Sequence, residues 1–318
     1  MKLTKIIGTL AFSALMVPVF TACKDDDGPS KGSNVNDADK GILNIDGARL
    51  TAINQFRYQY DNKGRLIEVS DSYDDVIDID YDDASIELWE DDGTIAFNSN
   101  GLVTQVSLSW DEKSSDYSDK GSVVMNFKYN NGYLASIDGS YSGTEIYYDE
   151  NVTNNYKSTI NYNLTWTEGN LVTFAGSGVE TDVEGKYNWE ESYKFSYGQD
   201  DNKFYQFPIR MAFDVLGETD LDLLAPVGLF GKGPAKLPTS CTESYQDDDD
   251  DEPYINTDYF EFELNNNGSI DEEIVNGYAY SYSYQNSASK STPDFGVRAK
   301  KTSSFKKYFL RHRYNKNK

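Results

Sequence analysis

Phe127-Lys128-Tyr129-Asn130-Asn131-Gly132-Tyr133-Leu134-Ala135-Ser136-Ile137 reads as two strands folded on one tight turn. Apolar and polar residues alternate on the way in, which in an extended chain sends them to opposite faces. Asn-Asn-Gly supplies residues that tolerate the positive φ of a hairpin turn, and apolar residues resume on the return. The phrase recurs. Phe56, Tyr58 and Tyr60 lead into Asp61-Asn62-Lys63-Gly64, with Leu66 and Val69 beyond. Tyr162, Leu164 and Trp166 meet Glu168-Gly169-Asn170 and then Leu171 and Phe174. Phe260, Phe262 and Leu264 meet Asn265-Asn266-Asn267-Gly268 and then Ile270 and Ile274, and a shorter copy runs through Phe97, Gly101 and Leu102.

With the alternating runs near Ile79, Tyr147, Phe195 and Tyr280, these hairpins predict about fourteen strands. Sequential hairpins make an antiparallel meander. The expected fold is all-β, a soluble barrel-like or strongly curved sheet spanning residues 41–286. One stretch breaks the period: between about 207 and 238 come Ile209, Met211, Phe213, Val215, Leu216, Leu221, Leu223, Leu224, Val227, Leu229 and Phe230, punctuated by prolines. It reads as short helical turns that cover an open end of the sheet or fill its interior.

The N-terminus gives an address. Lys2 and Lys5 precede an apolar run from Ile6 to Phe20, too short for a spanning helix and flanked as a signal peptide is, so residues 1–22 read as a leader. Thr21-Ala22 before Cys23 resembles a bacterial lipobox, in which Cys23 becomes the lipidated (palmitate-bearing) first residue of the mature chain. Phe20 departs from the usual Leu, Val or Ile at its position. Lys24-Asp25-Asp26-Asp27 resembles the surface-export signal of Bacteroidetes lipoproteins. Residues 23–40 hold almost nothing apolar and predict a tether. The expected location is the outer membrane, lipid-anchored and facing the exterior. Strand-centred aromatics and the lipid anchor together argue against a membrane-spanning barrel.

Charge separates the body from residues 287–318. That tail carries ten Lys or Arg against Asp294 alone, in a chain of net charge −24, and is expected to be a basic, disordered extension, the alternatives being that Phe305–Arg311 lies on anionic lipid phosphates or folds back on the acidic body. An acidic body repels phosphate backbones, which speaks against nucleic acid as a partner. With Cys23 acylated, Cys241 stands alone and cannot form an internal disulfide. The single histidine, His312, lies in the tail, so Cys241 reads as a small buried hydrophobe.

No cofactor, metal or catalytic constellation emerges. Asp78, Asp80 and Asp82 are spaced as a calcium loop begins, but Asp83 stands where that loop needs glycine and Trp89 where it needs glutamate. Alternation with Ile77, Ile79 and Tyr81 makes those aspartates the solvent face of a strand, and the acidic run 247–252 reads as a loop. Carboxylates are plentiful, yet nothing selects a glycosidase pair. Phosphate-cradling glycine loops, zinc spacings and serine elbows do not occur. An enzyme is therefore not expected. Binding is. Twenty-five tyrosines exceed what one apolar face needs, so some rings must reach the surface, where they can stack on sugars. Of Trp89, Trp110, Trp166 and Trp189, three are expected in the core.

Gly228-Leu229-Phe230-Gly231-Lys232 and Leu237-Pro238-Thr239-Ser240, with the lipoprotein start and the Tyr-rich hairpins, resemble a Bacteroidetes surface lipoprotein family of unknown function with a porin-like β fold. Tyr58-x-Tyr60-Asp61-x-x-Gly64-Arg65-Leu66 is also similar to the YD repeat of bacterial repeat proteins, but is complete only once. The resemblance implies fold and class and brings no assigned activity or site residues. The functional expectation is a surface binding module for a glycan or other extracellular molecule. The alternative is a structural or adhesive envelope lipoprotein without a small ligand.

Overall fold

The structure, a computed structural model, describes residues 43–71, 75–88, 91–148, 152–183, 185–216, 220–248 and 252–286. The leader, Cys23 with its tether, Trp89, His312 and the tail 287–318 lie outside the described residues.

Sixteen antiparallel strands follow one another around a closed barrel. Six short ones come first: β1 Ala48–Ile53, β2 Phe56–Tyr60, β3 Leu66–Ser70, β4 Asp75–Asp80, β5 Ser85–Leu88 and β6 Asp91–Phe97. Eight longer ones follow: β7 Val103–Lys113, β8 Tyr117–Asn130, β9 Tyr133–Tyr147, β10 Val152–Thr167, β11 Asn170–Thr181, β12 Lys186–Asp201, β13 Lys236–Asp247 and β14 Tyr254–Leu264. β15 Ile270–Val275 and β16 Tyr278–Asn286 return to β1, and the register from Ala48 opposite Asn286 to Ile53 opposite Tyr282 closes the ring. The expected meander forms, and it closes rather than staying an open curved sheet. The sequence count of about fourteen falls short because strands as brief as four-residue β5 lack an Asn-Gly signpost.

The five turn glycines read from sequence, Gly64, Gly101, Gly132, Gly169 and Gly268, all have φ between 77° and 87°. A Cβ is disfavoured there, so these positions hold the register of their hairpins. In a meander these turns all fall at one end of the barrel.

β10 shows how the wall is built. Tyr156, Ser158, Ile160, Tyr162 and Leu164 are buried, while Lys157, Thr159, Asn161, Asn163 and Thr165 between them are exposed. β12 repeats this with Trp189, Tyr193 and Phe195 buried and Asn188, Glu190, Lys194 and Ser196 exposed. A lipid-facing barrel needs an apolar outward band. These strands present the reverse, a polar outer face around an apolar interior.

The insert between β12 and β13 fills that interior. Helix α1, Ile209–Leu216, is buried nearly all round, as are the 3₁₀ turn Leu221–Leu224 and the residues Val227, Leu229 and Phe230. Ile209, Met211, Ala212, Val215 and Leu216 supply the apolar face of α1, while Arg210 and Asp214 pair with each other on the remaining side. Each such Leu, Ile, Val or Phe contributes about 1.5–3 kcal/mol of burial. Phe230 meets the Phe127 ring edge-on at 4.8 Å, and Phe207 meets Trp166 at 6.4 Å. Backbone hydrogen bonds tie the plug to the turn end: Val103 N–H to Leu229 O, Lys232 N–H to Gly132 O and Ala235 N–H to Gly169 O, at 2.8–3.0 Å. Asn202 donates to Gln206 O and Pro234 O and so closes the neck of the insert.

Candidate functional site

Among the described residues, a cleft of about 630 Å³ is lined by β3–β6 together with Asp61 and Arg65 of the β2–β3 turn and Tyr81 of the β4–β5 turn. Its chemistry follows from register. Glu68 stands opposite Asp78, Asp78 opposite Glu87, and Glu87 opposite Asp92, which puts four carboxylates in a row across four neighbouring strands. Like charges directly opposite one another on a sheet are destabilising. Gln59, next in the row, donates its amide to Glu68. Asp61 and Asp80 line the same cleft.

Arg65 is the cation of the cleft, and it is fixed. Its Nε donates to Asp61 Oδ2 at 2.8 Å, and its guanidinium lies 4.4 Å over the Tyr81 ring. The other partner of Tyr81 is Phe97, stacked at 5.1 Å. A ring so engaged has little face left for a sugar. Burial pushes the Tyr81 hydroxyl up to about 12, with Arg65 opposing. Partial burial draws the Asp61 carboxyl upward, but N–H groups of Arg65 and Lys63 and the Arg65 side chain outweigh it and hold it below the usual range. The site therefore offers a row of carboxylate acceptors beside the oriented guanidinium of Arg65.

A second set of carboxylates faces the barrel interior on the long strands. Asp119, Glu145, Glu180 and Glu191 are all buried. Tyr156 donates to Asp119 at 2.7 Å, Asn154 to Glu145 at 3.1 Å and Tyr162 to Glu191 at 3.0 Å, and Tyr193 also bonds Glu191. Trp110, Tyr141 and Tyr156 stack in sequence at 5.2 and 4.9 Å. Glycines make room for such rings: an added Cβ at Gly121 would sit 2.2 Å from Trp110, and at Gly176 2.0 Å from Tyr162. This array is packed shut and reads as internal scaffolding.

Sequence reasoning missed the inward carboxylates, though the signal was present. Trp189, Glu191, Tyr193 and Phe195 share one parity, as do Phe174, Gly176, Gly178 and Glu180. Counting in twos from the aromatic stripe places both glutamates inside.

The aspartates weighed for calcium separate. Asp78 belongs to the outer row, whereas Asp80 caps its own turn by accepting from Asp82 N–H at 2.8 Å. Asp247 ends β13, and the described part of the acidic run that follows is loop. Among the described residues no group of three or more His, Cys, Asp or Glu converges as a metal site. Cys241 is buried, as its reading requires, and burial pushes its thiol well up with Asp214 adding to the effect. Trp189 is buried, and Trp110 and Trp166 pack against the core. Tyrosines do reach the surface: Tyr148, Tyr254, Tyr259 and Tyr278 are exposed.

No family model matches the chain, and no curated protein is similar to it. Among solved structures, a porin-like protein from Bacteroides vulgatus is similar at 12% identity and a TM-score of 0.47, over 74% of this chain and 97% of that one. A porin-like protein from Bacteroides uniformis matches at 14% identity and a TM-score of 0.23, over 61% of this chain and 90% of that one.

Proposed function

We propose that this chain is a lipid-anchored binding protein of the outer membrane, held by Cys23 and facing the exterior, whose cleft on β3–β6 takes a hydroxyl-rich ligand such as a glycan. It binds and does not turn its ligand over. The observation that carries the reading is the Glu68–Asp78–Glu87–Asp92 row, an arrangement that costs folding energy and that a purely structural wall has no need of. Ligand hydroxyls donating to those oxygens relieve the cost. Arg65, held by Asp61, adds a donor for a ring or carbonyl oxygen.

A structural or adhesive role is the second reading, favoured by the plugged interior and by the exposed Tyr148, Tyr254 and Tyr278. A glycan array separates the two, because a scaffold leaves it blank. For any oligosaccharide retained, Glu87→Gln should weaken binding at least tenfold while leaving the fold slightly more stable, since it removes a repulsion from the row. Binding that is indifferent to Glu87→Gln removes the cleft from consideration.

A further inference from the structure

β14 changes partner halfway along its length. Tyr254–Tyr259 pair with β13, from Tyr245 to Ser240, whereas Phe260–Leu264 pair with β15, from Val275 to Ile270. The β15–β16 hairpin ends at the changeover. There Tyr259 N–H donates to Asn276 Oδ1 at 3.1 Å, and Tyr259 O accepts Asn276 N–H at 3.2 Å. Backbone direction alternates along a strand, so Thr257 and Ile255 turn their N–H and C=O groups to the same side as Tyr259. That side lies beyond the end of the hairpin. Among the described residues nothing pairs with them there, which leaves an open strand edge in an otherwise closed barrel.

Residues 254–259 contain no lysine and no proline, the devices that blunt exposed edges. Ile255 is 62% exposed, Tyr259 64% and neighbouring Tyr278 76%, so apolar side chains flank the open backbone. The surroundings are acidic: the run 247–252 precedes the edge, and Glu261 and Glu263 follow it on exposed positions. A second copy would bring the same acids against these and be repelled. A cationic strand with apolar side chains is complementary in charge and in surface.

The chain carries such a segment. Phe305-Lys306-Lys307-Tyr308-Phe309-Leu310-Arg311 combines three cations with four apolar or aromatic residues. It follows the end of β16 by a linker that spans roughly 60 Å when extended. Asn286 lies at the end of β16 away from the β15–β16 turn, so the linker has to return about 40 Å along the strand direction and about 10 Å across two strands to reach β14, both within its length. We propose that residues 305–311 add to the open edge of β14 at Ile255 and Thr257 as a further strand, held by backbone hydrogen bonds and by the acids around the edge.

Hydrogen–deuterium exchange on the intact chain and on a chain ending at Asn286 tests this. The Ile255 and Thr257 amides should exchange at least tenfold faster in the shortened chain. A synthetic peptide of residues 303–314 should restore their protection, and weaken with added salt. The peptide carrying Lys306→Glu, Lys307→Glu and Arg311→Glu should not restore it. Thr257→Pro, which removes one edge donor, should weaken peptide binding in the shortened chain while circular dichroism confirms its fold. Equal exchange in the two chains overturns the proposal. So does protection that rises with protein concentration, the sign of a second copy on the edge, or protection in the full chain that appears only with anionic vesicles.

Discussion

Glu273 Oε2 accepts the Ile209 N–H at 2.8 Å, so the first turn of α1 ends on a carboxylate carried by β15. Arg210 N–H donates to Oε1 at 3.2 Å, and Tyr282 Oη to Oε2 at 2.7 Å. The first N–H groups of a helix lack partners within it, and a buried acceptor supplied by the wall satisfies them. The plug is thus hydrogen-bonded into the barrel as well as packed there.

Complete burial raises the Glu273 carboxyl from 4.5 to about 7, against the opposing hydrogen bonds from Tyr282, Arg210 and Ile209. A raised folded value favours the protonated form, so its stabilisation is full below about pH 4.5 and is lost as pH rises through about 7. The stability advantage of the native chain over Glu273→Gln should therefore shrink by about 3 kcal/mol across that window. Urea melts of both proteins at a series of pH values measure it. Parallel curves would mean that Glu273 does not titrate there.

Phe127 is one of the wall residues that meet the plug, with its ring edge-on to Phe230. Phe127→Ala should cost about 3–5 kcal/mol of unfolding free energy, as truncation of a core aromatic does. Phe230→Ala should cost a similar amount, and the double variant less than the two together, because the residues share one contact. A cost below about 1 kcal/mol at Phe127 would be inconsistent with its 3% exposure.

Cys23→Ala should release the protein from membranes. Replacing Asp25, Asp26 and Asp27 by alanine should leave it anchored but facing the periplasm. Protease shaving of intact cells reads both effects. A wild-type protein that resists shaving, while a known surface lipoprotein is cut, refutes the outward orientation.

The hairpins were legible because Asn-Gly pairs signal positive φ locally, and Gly132 and Gly268 behave as that rule requires. Closure was not, because the pairing of Ala48 with Asn286 joins the two ends of the β domain through no local signal. Bulges also hide side-chain direction. Asp271 is an extra residue at the start of β15, since Ile270 and Glu272 face consecutive residues of β14, and it shifts the alternation so that Glu273 is wholly buried while Asp271 is exposed. The cleft was legible only in part. Asp78 was correctly placed on a strand's outer face, but its alignment with Glu68, Glu87 and Asp92 depends on three register relations that no single strand encodes.

Gly176 and Tyr162 test whether the interior aromatics need their glycines. They stand opposite each other on β11 and β10, and the three atoms nearest an added Cβ, at 2.0, 2.3 and 2.7 Å, all belong to the Tyr162 ring. That ring cannot simply swing away. Its hydroxyl is bonded to buried Glu191, and its face is stacked on Phe174 at 4.4 Å. Gly176→Ala should therefore cost about 1–3 kcal/mol, the usual penalty of overpacking. Ser177→Ala, exposed on the same strand, should change stability by less than about 0.5 kcal/mol. The decisive measurement is the double variant with Tyr162→Ala. If the ring is the obstacle, Gly176→Ala becomes nearly neutral once the ring is gone, whatever Tyr162→Ala costs by itself. An undiminished penalty would trace the requirement for glycine to the backbone instead.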